Sequence, residues 1–227
     1  MSGTGPQLGS LKIWAKREGM CLAILERALQ LLRAESNLPD AEVDLNRCLY
    51  FRLLEASSEL YPQDQLLPTS ECNNQPDPDD DSRAAREHKR PDFQWVYRDV
   101  YEPDPRRSSR QFVVECKRLG TPRRADRVFN VNYVKQGICR FREREWAYAK
   151  RFRSGVMIGY WQSMELPQIL KEVNEEAAKN SLPEVAAVGG PFAGGHRSEH
   201  TFERPFPVSP FRLRHLWIDL RPASKTG

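Results

Sequence analysis

The chain is 227 residues long, which fits one domain of ordinary size with room for an N-terminal addition. Its 39% hydrophobic content, with 35 Lys+Arg against 31 Asp+Glu, excludes a disordered tail or a fibre, and no apolar run approaches the ~18 residues of a membrane span. The net charge is a modest +4, and the five cysteines (Cys21, Cys48, Cys72, Cys116, Cys139) form no CxxC pair, which argues against a zinc site or disulfide framework and for a reducing cytoplasm. Residues 1–9 lack the basic start and apolar stretch of a secretory signal.

Trp14, Leu22, Leu25, Leu29 and Leu32 recur at helical spacing and predict a helix over Leu11–Arg33, with Gly19 as a point where it breaks. A second helix is expected from about Pro39 to Leu60, with Leu45, Leu49 and Leu53 on one face. The polar stretch Pro62–Arg90, with its acidic run Pro76–Asp81, reads as loop, with room for a short strand near Leu66-Leu67. Two strands, Asp92–Tyr101 and Ser108–Leu119, flank a turn-rich linker. A helix follows from about Asn130 to Phe152, with Val134, Ile138 and Phe141 on one side. Then come a buried strand (Gly155–Trp161), a helix (Glu165–Lys179), a loop with Gly189, Gly190, Gly194 and Gly195, and two late strands (His200–Phe206, Arg212–Leu220). This order predicts an α/β fold with a mixed sheet.

Basic residues cluster twice, at Arg106, Arg107, Arg110, Lys117, Arg118, Arg123, Arg124 and Arg127, and at Lys135, Arg140, Arg142, Arg144, Lys150, Arg151 and Arg153. Arginine dominates, and its planar fork suits phosphate, although a charge run is as readily an ordinary solvated face.

The most informative segment is Gln111-Phe112-Val113-Val114-Glu115-Cys116-Lys117. Roughly one acid-x-Lys triplet is expected by chance in a chain of this make-up, and a second, Glu87-His88-Lys89, lies in a polar segment with no strand pattern. In a strand, Glu115 and Lys117 share one face while Phe112, Val114 and Cys116 share the other. Pairing Tyr101 with Ser108 sets Phe93 opposite Cys116, Trp95 opposite Val114 and Tyr97 opposite Phe112, with all six apolar side chains on one side. The same register puts Asp92 across from Lys117 and diagonal to Glu115. Two carboxylates this close suit a hard divalent cation, and Lys117 can orient an attacking water or offset developing charge; the plain alternative is a surface salt bridge.

Pro91-Asp92 followed by Glu115-Cys116-Lys117, within an αβββαβ order, resembles the PD-(D/E)XK nuclease superfamily with its restriction-endonuclease-like fold, over roughly Pro39–Leu220. The resemblance implies Mg²⁺-dependent cleavage of a phosphodiester (Mn²⁺ substituting), with Asp92 and Glu115 as metal ligands and Lys117 near the water. It also implies a Glu on the preceding helix, Glu42 or Glu55, of which Glu42 is preferred, and a polar residue on the following helix, Gln136. Arg140, one turn on, would grip a phosphate, with Lys135, Arg118 and Arg144 as further nucleic-acid contacts. The stretch Tyr133–Phe141, with Met157-Ile158-Gly159-Tyr160, Ser198-Glu199-His200 and His215-Leu216-Trp217, looks like small bacterial antiphage-defence effector nucleases.

The expected organisation is therefore an N-terminal helical extension (1–38) with an apolar surplus suited to a partner or a second copy, then a nuclease domain (39–227) acting on DNA away from membranes. The alternative is a nuclease-like module that has lost chemistry and only binds nucleic acid or a partner. His196 and His200 lie in an extended segment, where a zinc pair is not expected, and the glycine pairs lack the Gly-Lys-Ser/Thr of a phosphate loop. Cys116, on the apolar face, is expected to be inert.

Overall fold

A computed structural model describes residues 8–64, 67–74, 78, 88–122, 128–186, 191–192, 194–206 and 208–222. Outside these fall Leu66, the acidic run apart from Pro78, Glu87, the basic residues Arg123, Arg124 and Arg127, and Gly189 and Gly190.

Two helices come first, α1 (Leu8–Arg33) and α2 (Glu42–Leu60). The helix α1 runs through Gly19 without a break, and the space beside that position is open. Strands β1 (Thr69–Ser70), β2 (Phe93–Arg98), β3 (Ser109–Leu119), β4 (Ser154–Trp161), β5 (Pro191–Phe192), β6 (Gly195–Phe202) and β7 (Phe211–Asp219) form one sheet in the order β1-β2-β3-β4-β7-β6-β5. The centre, β3-β4-β7, is parallel and both flanks are antiparallel, so the sheet is mixed as expected. Between β3 and β4 the chain forms α3 (Phe129–Tyr133), a π turn (Val134–Ile138) and α4 (Cys139–Arg142), and between β4 and β5 it forms α5 (Leu166–Lys179).

Helices cover both faces. On one, Cys21 of α1 meets Tyr97, Glu18 meets Ser154 and Arg214, and Asn46 of α2 meets Tyr160. On the other, Tyr133 reaches His215 and Trp217, and Phe141 stacks on Phe211. Strands covered on both faces read as continuous apolar runs, and every residue of β4 is buried. The apolar residues of α1 go into this common core: Cys21, Ile24, Leu25, Ala28, Leu29 and Leu32 are each no more than 1% exposed, so the helix is built into the domain.

Three local expectations are corrected. The β2–β3 pairing is Phe93↔Val114, Trp95↔Phe112 and Tyr97↔Arg110, two residues from the predicted register. A shift of two keeps every side chain on its face. Its cause lies in the turn, where Asp99 accepts from the Tyr101 N–H and binds Arg110, closing the hairpin at Asp99–Ser108. The helix expected to reach Phe152 stops at Arg142, and residues 143–153 turn back with left-handed φ at Ala147 and Ala149. Their carbonyls converge on the buried Arg204 guanidinium, which donates to Tyr148 O (3.1 Å), Ala149 O (2.8 Å) and Phe152 O (2.6 Å) and also to Phe141 O and Val208 O. Finally, the first late strand is Gly195–Phe202, with His196 and His200 both inside it.

Beneath α3 lies a buried polar chain. Trp217 Nε1 donates to the Tyr133 hydroxyl (2.8 Å), which also shares a hydrogen bond with His215 Nδ1 (2.7 Å). Burial holds the His215 imidazole well below its usual pKa and pushes the neighbouring His200 down to about 4, partly offset by the Pro183 backbone. Between pH ~6.5 and ~4 the folded chain thus takes up fewer protons than the unfolded one, and stability is lost as pH falls through that window. We expect His200→Leu to flatten this acid limb by up to about 3 kcal/mol, measured as the pH dependence of urea unfolding for both proteins. Parallel curves would refute it.

Candidate active site

The paired part of β2 begins at Phe93, opposite Val114, so β3 continues past its neighbour and the amides of Cys116 and Arg118 lie on an open edge. Two carboxylates cap them. Asp92 Oδ2 accepts from the Cys116 N–H (2.6 Å), and Glu42 Oε2, from the first residue of α2, accepts from the Arg118 N–H (3.2 Å). Asp92 is held further by Asn46 Nδ2 (2.9 Å), whose own oxygen accepts from Tyr160 (2.8 Å).

These contacts bring Glu42 and Asp92 to the Glu115–Lys117 face. Lys117 Nζ donates to Glu42 Oε1 (2.9 Å), Glu115 Oε1 (2.9 Å) and the Cys116 carbonyl (2.7 Å), and lies 4.0 Å from Asp92 Oδ2. Glu42 is therefore the helix-borne acid that joins the cluster, while Glu55 pairs with Arg52 (2.5 Å) on α2. The predicted meeting of Asp92, Glu115 and Lys117 is present, although in the observed register Asp92 precedes the residue opposite Val114 and approaches from the strand edge.

The charges press on one another. Burial and then the Glu115 charge push Asp92 up to about 8, against the pull of Lys117 and the Cys116 amide. Burial likewise raises the Glu115 carboxyl, which is only 1% exposed, in spite of Lys117 and Arg140. Burial alone would lower the Lys117 ammonium, but the Glu115, Asp92 and Glu42 carboxylates together raise it above its ordinary value. Glu115 Oε1 takes both Lys117 and Arg140, whereas Oε2 is buried without a hydrogen-bond partner. Cys116 is wholly buried on the opposite face, and burial drives its thiol far up, away from the reactive thiolate.

Other predicted residues are placed differently. The Arg140 guanidinium is turned inward, onto Glu115 and 4.0 Å over the Trp146 ring, where it fixes a carboxylate and does not offer itself to solvent. Gln136 is exposed on the π turn, beside Gly137. A Cβ at Gly137 would lie 2.4 Å from Met157 Cε and 3.4 Å from Lys117 Cγ, so the missing side chain lets the turn close over the lysine stem. Lys135 is half-exposed but pairs with Glu176 (3.2 Å), and Arg118 lies over the Phe129 ring and donates to Asp40 O. Arg144 is exposed, as is Arg153, while Arg142 caps the carbonyl of Asn180. Of the upstream cluster, Arg106 binds Asp104 and Arg110 binds Asp99 and Glu102. Much of what reads as a cationic face is thus internal pairing. In the second acid-x-Lys triplet, Lys89 pairs with Glu145 and lies over Trp146.

The donors are hard oxygens with one buried lone oxygen, which in kind suits a hard divalent cation. As arranged, though, no group of three or more His, Cys, Asp or Glu side chains among the described residues is disposed to hold a metal, and the Lys117 ammonium stands between Glu42 and Glu115. Among the described residues no helix is long and apolar enough to cross a membrane. Comparison with family models, with curated proteins and with solved structures finds no match to this chain.

Proposed function

We propose that the chain is a metal-dependent endonuclease that hydrolyses phosphodiester bonds of DNA, on a restriction-endonuclease-like core. The observation that carries this reading is the convergence of Glu42, Asp92 and Glu115 on Lys117, with Glu115 Oε2 buried and unpartnered. Asp92 and Glu115 would hold the ion, Mg²⁺ or Mn²⁺; when bound, it supplies Lewis acidity toward a phosphoryl oxygen and lowers the pKa of a bound water. Glu42 and Glu115 aim the Lys117 ammonium, the natural donor to the attacking water or to a phosphoryl oxygen. Arg140 keeps Glu115 in place. Lys135, Arg144 and Arg153 reach outward and can contact a nucleic-acid backbone, which positions it without reading sequence. A part in an antiphage-defence complex rests on the sequence resemblance alone.

The second reading, a module that binds without cutting, is favoured by one observation, the ammonium filling the space between the acids. Incubation with supercoiled plasmid separates the two. Nicking or linearisation with Mg²⁺, abolished by a chelator, is the expected result; no cleavage of DNA or RNA with Mg²⁺ or Mn²⁺ would overturn the nuclease and leave the binding module. With about three outward cations engaged, log affinity for duplex DNA is expected to fall against log salt with a slope of about −3, read by fluorescence anisotropy. A flat response would remove these residues from the interface.

A further inference from the structure

We infer that the Lys117 ammonium is a built-in competitor for the divalent ion. It holds the acids while the site is idle and hands them over only when a substrate phosphate is there to receive it. This inference rests on the metal-dependent reading above and specifies how that site is regulated.

The geometry is that of a cation cage. Four oxygens from three parts of the chain surround Nζ: Glu42 Oε1 and Glu115 Oε1 at 2.9 Å, Cys116 O at 2.7 Å and Asp92 Oδ2 at 4.0 Å. A hard divalent ion needs the same oxygens at about 2.1 Å for Mg²⁺ or about 2.4 Å for Ca²⁺, so the two cations cannot share the cage. Glu115 Oε2, buried and unpartnered, is the oxygen the ammonium leaves unused.

Charge balance points the same way. With all three carboxylates ionised, the state a bound divalent ion would favour, the two cations Lys117 and Arg140 leave the cluster one charge short of neutral. Exchanging the ammonium for a divalent ion neutralises the acids and frees a single positive charge on a flexible four-carbon stem. That charge matches one phosphodiester. The exchange is therefore most favourable when ion and substrate arrive together, and their affinities must be coupled reciprocally.

The test is titration calorimetry of the full chain with Ca²⁺, for wild type, Lys117→Met and Glu115→Gln, each with and without a short DNA duplex. We expect Lys117→Met to bind Ca²⁺ about tenfold or more tighter than wild type without DNA. DNA should strengthen Ca²⁺ binding to wild type but not to Lys117→Met. If Lys117→Met binds Ca²⁺ no tighter while Glu115→Gln abolishes binding, the competition is refuted and the metal site stands. If Ca²⁺ binds to none of the proteins, or binds Glu115→Gln as well as wild type, the metal-dependent reading itself fails. Should Lys117→Met not fold, the side-chain ammonium NMR signal of Lys117 in wild type serves instead. It should be protected from exchange in metal-free protein and lose that protection with Ca²⁺ and DNA; persistent protection overturns the inference.

Discussion

Replacing Glu115 by Gln is expected to lower Mg²⁺-dependent plasmid cleavage by about 10³-fold while leaving the fold intact. The carboxylate is almost fully buried, and burial already disfavours its ionised form. An amide keeps one oxygen for Lys117 and Arg140, yet cannot supply the second anionic oxygen. The melting temperature should stay within about 5 °C of wild type, because no packing volume is lost. Initial rates of supercoil loss, with a thermal melt of the same samples, check both halves. A variant that cuts within tenfold of wild type would remove Glu115 from the chemistry, and with it the proposed site.

Arg204→Met should cost about 3–5 kcal/mol of stability, the largest effect expected outside the acidic cluster. Its guanidinium is 6% exposed, lies 3.9 Å over the Phe211 ring and donates to five backbone carbonyls, four of them between Phe141 and Phe152. Removing it leaves those carbonyls buried without donors. The segment they belong to carries Trp146, the platform for Arg140, so cleavage should weaken along with stability. Lysine at 204 should rescue little, since three donors on one nitrogen cannot span the fork that five carbonyls surround. Urea unfolding measures the loss, and a change below about 1 kcal/mol would show the carbonyl cage to be dispensable.

What the sequence discloses about this molecule follows the range of each physical signal. Alternation of apolar and polar residues decides faces, and it places Glu115 with Lys117 and Cys116 away from them whatever the register. Register depends on where the turn closes, and the Asp99–Arg110 pair closes it early, a contact between groups that no periodicity marks. Helical spacing at Val134, Ile138 and Phe141 is real, but the helix ends at Arg142 because its following carbonyls serve an arginine some fifty residues away. Glu42 and Glu55 lie about 140° apart on a helical wheel, and Glu42 is preferred from sequence because it shares a side with Leu45, Asn46 and Leu49, but its task of capping the edge of β3 shows only in the fold. Arg140 reads as a phosphate ligand from charge alone, and its inward turn is set by Glu115 and Trp146. Arg204 carries no local signal at all.

The capped edge of β3 has a consequence for how the protein can be watched at work. Asp92 and Glu42 shield the amide hydrogens of Cys116 and Arg118 with the same carboxylates that would turn toward an incoming ligand. Those two hydrogens thus act as a gauge: deuterium uptake there would quicken each time the acids let go, reporting engagement from the backbone, without a label and without a bond being cut.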